Sequence, residues 1–131
     1  MIDIKVKKKG EGRNASTAFS WIYENKEVTI SFSVIARHVY VEDNESVFFS
    51  LYSEDEILRY SLSGELIESF NIPEKRGYQY RGINRNLKAK LGVSLLFCPV
   101  DDDVGNQWRD IEQYELESES QPLGKYINIY R

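Results

Sequence analysis

Three strand-length runs follow one another between Val47 and Pro73. They are Val47–Tyr52, Ile57–Leu62 and Leu66–Ile72, and a Ser63-Gly64 turn joins the last two. Connections this short cannot make the long crossover that a parallel pair needs, so the segment is bound to antiparallel pairing. A partial copy follows. Ile57, Tyr60 and Leu62 find counterparts at one common offset in Ile111, Tyr114 and Leu116. Leu95-Leu96-Phe97 matches Val47-Phe48-Phe49 at a shorter offset, and the difference is taken up by the acidic loop Asp101–Asn106.

The rest of the chain agrees. Ile2, Ile4 and Val6 alternate with charged residues and predict a strand, ended by a polar, Gly-containing break over Lys7–Asn14. A second strand is expected over Phe19–Tyr23, turned by Glu24-Asn25-Lys26 into a run in which Val28, Ile30, Phe32 and Val34 share one face. Val39-Tyr40-Val41 is a further short strand, and Lys125–Tyr130 supplies the last alternating one. Leu87 and Leu91 stand four apart before Gly92, which predicts one short helix or turn within Asn84–Leu91.

The expected fold is all-β. It is an antiparallel meander of about eight strands closing a compact sandwich or barrel, with propeller-blade-like repeats over 47–73 and 95–131 and at most one short helix. With 131 residues, 41% hydrophobic and 13% aromatic, residues 1–131 read as a single β domain with a real core. The Ser63-Gly64 hairpin carries a register test. A two-residue turn sets Arg59 opposite Glu68 and Tyr60 opposite Ile67, which pairs opposite charges; a three-residue loop would shift that match.

Chemistry-bearing residues are sparse. His38 is the one histidine and Cys98 the one cysteine, too few for a zinc site and without a nucleophile elbow. Cys98, in Leu96-Phe97-Cys98-Pro99, reads as buried strand, and His38 as a strand-surface residue. The spacing of Gly77 and Gly82 fits no phosphate loop. No enzyme, cofactor or metal is expected. One cysteine allows no intrachain disulfide, and no signal peptide or membrane span is visible, so the expectation is a cytoplasmic protein.

Charge is sorted into blocks. From Glu42 to Glu56 there are six acids and no Lys or Arg, and from Asp101 to Glu119 eight acids and one Arg. From Glu74 to Lys90 there are six bases and one acid. If the acidic loops leave one end of the sheet together, they form one negative surface that steers a cationic partner. Its residues are Glu42, Asp43, Glu45, Glu54, Asp55, Glu56, Asp101, Asp102 and Asp103, with Tyr52 and Trp108 as aromatic anchors. The alternative is single-stranded nucleic acid, bound by Arg76, Tyr78, Tyr80, Arg81 and Arg85. The net charge of -4 weighs against it.

In size, acidity, β-richness and lack of catalytic residues the chain resembles the immunity proteins of bacterial polymorphic and contact-dependent inhibition toxins. The resemblance implies an inhibitory protein that occludes a cationic, nuclease-type toxin domain. Those families vary in fold, so the resemblance assigns no residue.

Overall fold

The computed structural model describes residues 2–52, 54–100 and 111–130. It is all-β: eleven strands among the described residues, in three antiparallel sheets, with one turn of 3-10 helix at Gly12–Asn14. The chain divides into two compact units, Met1–Ser69 and Phe70–Arg131.

The first sheet is a three-strand meander of β1 (Lys5–Lys9), β2 (Ser16–Tyr23) and β3 (Lys26–Phe32), in that order. Tyr23 opposes Lys26 across a two-residue turn, and the ladder runs unbroken to Thr17 opposite Phe32. Both turn residues are left-handed, Glu24 at φ 50° and Asn25 at φ 66°. This is the pattern of a type I′ turn, whose twist suits the strands. β1 lies further along than Ile2–Val6 and takes in the lysines read as a break. All five of its side chains are exposed, so it shows no apolar alternation and is held by its ladder to β2. Ile2 and Ile4, before it, pack on the core.

The second sheet is a four-strand meander of β4 (Ala36–Val41), β5 (Ser46–Leu51), β6 (Glu56–Ser61) and β7 (Leu66–Asn71). All of β5 is buried, on both faces. Phe19 and Trp21 of β2 meet Val47, Phe49 and Leu51 of β5 in a sandwich-like core, with Val28, Ile30 and Phe32 packed at its margin. Ring centroids of Phe19 and Phe49 are 4.8 Å apart, and the Trp21 indole N–H donates to the Leu62 carbonyl at 2.8 Å. Thr17 closes the crossing between the sheets: its hydroxyl donates to Val34 O at 3.0 Å and accepts from Ala36 N at 3.1 Å.

The β6–β7 turn departs from expectation. Gly64 N–H donates to Ser61 O at 3.0 Å, and Ser61 N–H to Glu65 O at 2.8 Å, with Gly64 at φ 94°. These bonds define a three-residue loop ending on a left-handed glycine. Leu62 is thereby turned inward, 6% exposed, with its carbonyl under Trp21. The Arg59–Glu68 ion pair nevertheless forms, at 2.5 Å.

The third sheet is a second four-strand meander: β8 (Tyr78–Arg85), β9 (Val93–Pro99), β10 (Glu112–Leu116) and β11 (Leu123–Ile129). Val93, Leu95, Phe97 and Leu116 are fully buried there. The possible helix at 84–91 is a strand end followed by turns. Ala89 N–H bonds Asn86 O, Gly92 N–H bonds Ala89 O, and Asn86 N–H bonds Gly92 O. Leu87 is 80% exposed while Leu91 is half-buried, so the two leucines share no apolar face.

The repeat is structural. Arg59 opposes Phe48 as Gln113 opposes Leu96, two matching positions in the second and third strands of each meander. Phe49 and Tyr60 pack with centroids 5.6 Å apart and planes at 78°; Phe97 and Tyr114 do so at 5.7 Å and 88°.

Candidate functional site

An antiparallel meander alternates its ends, so consecutive loops cannot share one. β5 runs from Ser46 to Leu51, a length of about 20 Å at ~3.3 Å per residue. The turn holding Glu42, Asp43 and Glu45 precedes it; Tyr52, Glu54 and Asp55 follow it, and Glu56 opens β6. The first two acidic groups therefore stand at opposite ends of the second sheet. Asp101, Asp102, Asp103 and Trp108 lie outside the described residues.

At the far end, Tyr52 is 71% exposed and its N–H donates to Ile35 O at 2.7 Å. Glu54 N–H donates to Leu51 O, and Glu56 accepts from the Ser69 hydroxyl at 3.3 Å.

The near end gathers three loops. The β4–β5 turn brings Glu42, Asp43 and Glu45, all exposed. The β6–β7 loop brings Glu65, also exposed, to the same end, because Ser46 opposes Ser61. The β2–β3 turn joins them with Glu24. Trp21 bonds the carbonyl of Leu62, and a methyl of Val28 lies 2.9 Å from where a Cβ on Gly64 would stand. Glu24, Glu42 and Glu45 are close enough to act on the two tyrosines between them. Tyr23 titrates above its ordinary value mainly because of Glu24, with burial and Glu45 adding to it. Burial raises Tyr40 first, and Glu42 and Glu45 raise it further. The outcome is an acidic rim of Glu24, Glu42, Asp43, Glu45 and Glu65 around two tyrosines, with Lys26 beside it.

Glu24 and Glu65 escaped the sequence reading because each stands alone in its own turn. The available signal was their place beside turn centres, which antiparallel topology sends to the end occupied by Glu42–Glu45. Glu24 and Glu45 are left-handed, at φ 50° and 49°, where glycine or asparagine fits without strain.

The basic segment is arranged differently. Arg76, Arg81 and Arg85 are exposed and spread along β8 and its approach. Tyr78 and Tyr80 turn their rings into an aromatic cluster, with centroids 6.4 Å and 5.7 Å from that of Phe97. The Lys75 ammonium sits 4.6 Å from the Tyr78 centroid and 4.7 Å from that of Tyr114. Tyr114 is itself held well above the ordinary phenol range, first by burial and then by its hydrogen bond to Glu112. These rings pack against their own sheet rather than standing out as a stacking platform for bases.

His38 is half-buried rather than on the strand surface. Its ring lies against that of Phe19, tilted at 59° with centroids 5.3 Å apart, and desolvation lowers its pKa. Cys98 is half-buried on β9 rather than fully enclosed. Among the described residues, no group of three or more His, Cys, Asp or Glu is placed to hold a metal, and no helix is long and apolar enough to cross a membrane.

Comparison with known proteins finds no matching family model, no matching curated protein and no matching solved structure.

Proposed function

We propose that this protein is an inhibitory binding protein of the toxin-immunity kind, which docks a cationic protein domain through the acidic rim of its first compact unit. The observation that carries this reading is the convergence of Glu24, Glu42, Asp43, Glu45 and Glu65 from three separate turns onto one end of the sandwich. A surface of that sign raises the encounter rate with a basic domain and occupies the groove where such a domain would hold phosphates. Tyr23 and Tyr40, half-buried among the carboxylates, supply aromatic area at the centre of the contact. Glu54, Asp55, Glu56 and Tyr52, at the other end of β5, do not join this surface.

The test is growth rescue. A basic toxin domain encoded beside this chain should arrest growth when expressed alone and be neutralised by co-expression. Reversing Glu42, Asp43 and Glu45 to Lys should slow association about tenfold or more at low salt, while exposed-site changes of this kind leave stability within ~0.5 kcal/mol each. The same reversal at Glu54, Asp55 and Glu56 should leave association almost unchanged. Rescue that survives reversal of the rim would rule the rim out as the docking surface.

A further inference from the structure

Sheet edges offer unpaired backbone groups, and proteins blunt them with charge, bulges or irregular pairing. Most edges here are blunted. β1 carries Lys5, Lys7, Lys8 and Lys9. β8 carries Arg81 and Arg85 and a register shift between Tyr80 and Gly82. β11 has Lys125 and two register shifts against β10. β4 and β7 each place a charged side chain within a six-residue strand, Arg37 and Glu68. β3 differs. It is an edge of the first sheet, it is a seven-residue strand whose ladder to β2 has no shift, and its two charged residues, Lys26 and Glu27, stand together at the turn end, which leaves Val28–Phe32 with neither charge nor proline.

The hairpin geometry says which groups point outward. A two-residue turn closes on a hydrogen-bonded pair, Tyr23 with Lys26, so Lys26, Val28, Ile30 and Phe32 spend their backbone groups on β2. The N–H and C=O groups of Glu27, Thr29 and Ser31 face away from it, and all three residues are exposed. The inward side chains Val28, Ile30 and Phe32 pack on the core, which fixes the strand against slipping.

We infer that the open edge of β3 is a strand-addition site for an extended, basic segment of the cationic partner. This inference rests on the binding role proposed above. Charge selects the occupant. The start of β3 lies in the acidic rim, where Glu24 in its turn, Glu27 on the strand and Glu65 beside the Gly64–Val28 approach outnumber the one exposed base there, Lys26. A Lys- or Arg-bearing strand meets opposite charge there and neutral backbone beyond. Main-chain bonds to Glu27, Thr29 and Ser31 supply affinity, and the rim supplies selection for positive side chains. An antiparallel pair of β3 strands from two copies would gain no such match, because it sets the rims at opposite ends.

The experiment uses the isotope-labelled full chain and a synthetic strand peptide alternating lysine with valine. A peptide with glutamate at the lysine positions is the control. Saturating lysine peptide should slow hydrogen exchange at the Thr29 and Ser31 amides at least tenfold; the glutamate peptide should not. Ser31→Pro removes one outward N–H at an edge position and should abolish the protection with the fold intact by circular dichroism. If that variant fails to fold, Thr29→Lys should weaken binding at least tenfold by placing like charge along the edge. Unchanged exchange at both amides under saturating lysine peptide, or equal protection by the glutamate peptide, overturns the inference. So does protection that grows with protein concentration in the absence of peptide, which would assign the edge to self-pairing. A toxin domain that is neutralised while both amides stay unprotected overturns strand addition and leaves the inhibitory role standing. Protection by the lysine peptide in a chain that neutralises no toxin supports strand addition and removes the role.

Discussion

The second and third sheets are the same four-strand meander built around different polar centres. In the second, Arg59 stands at the middle: its Nε donates to Ser46 Oγ at 2.9 Å, Nη1 meets Glu68, and the guanidinium lies 5.4 Å from the Phe48 ring centroid. In the third, Gln113 holds the matching place. Its Oε1 accepts from Ser94 at 2.6 Å, Asn84 at 3.2 Å and Asn86 at 3.1 Å, and its Nε2 donates to Asn128 at 2.9 Å. Each centre ties the serine of the second strand to a polar residue of the fourth. The scaffold therefore needs a donor–acceptor bridge at this point but is indifferent to whether it is ionic or neutral. The ionic version brings salt dependence, and the amide version brings more bonds.

The largest expected effects come from opening these two centres. Gln113→Ala leaves several half-buried or buried partners unsatisfied and should cost about 2–3 kcal/mol. Glu68→Ala strands a guanidinium whose side chain is only 16% exposed. Glu68 itself is 26% exposed, so solvent screening reduces the loss to about 1–2 kcal/mol. Urea unfolding at low and high salt separates the two. The Glu68→Ala loss should shrink in 1 M salt and the Gln113→Ala loss should not. Equal salt sensitivity in both variants would break the comparison.

The repeated meander was legible in the sequence because Ile57, Tyr60 and Leu62 recur as Ile111, Tyr114 and Leu116 at fixed spacing, and spacing within a strand is what packing constrains. β3 was legible for the same reason, through Val28, Ile30 and Phe32. β1 was not, because a strand with five exposed side chains carries no periodic signal. The rim was half legible. Glu42, Asp43 and Glu45 were found as a run, yet grouped with Glu54–Glu56 across β5. Composition records that acids are near in sequence; only the direction of the intervening strand says that they part in space. Glu24 and Glu65 show the converse, since they are distant in the chain and meet at one end.

The two sheets should also differ in their response to acid. His38 opposes Phe49 in the second sheet, where Tyr80 opposes Phe97 in the third. Desolvation holds the His38 pKa below 6.5, so folding favours the neutral imidazole. As pH falls through 6.5 the unfolded chain takes up the proton first. The contribution is therefore whole above that pH and is lost progressively below it, at no more than about 1.4 kcal/mol per pH unit. Denaturant midpoints at pH 7.5 and 5.5 should fall together less in His38→Phe than in the parent. Identical falls would mean that the second sheet's one imidazole is not what acid acts on.

The smallest effect bears on why the second sheet keeps a costly residue where the third does not. The residue just before the second strand is left-handed in both meanders: Glu45 at φ 49° and Gly92 at φ 80°. A side chain there costs roughly 1–2 kcal/mol, and glycine returns part of that through its greater freedom in the unfolded chain. Glu45→Gly should thus stabilise by about 0.5 kcal/mol. It should also slow association with a basic partner several-fold at low salt, because it removes a carboxylate from the rim. Glu45→Gln separates the two effects, keeping the strained backbone while slowing association by the same factor. Strain kept at a charged position is what the proposed docking role of the rim would require. A Glu45→Gly chain that is more stable and associates as fast as the parent would show that the second sheet tolerates this glutamate as it would any turn residue, and the two meanders would then differ here by chance.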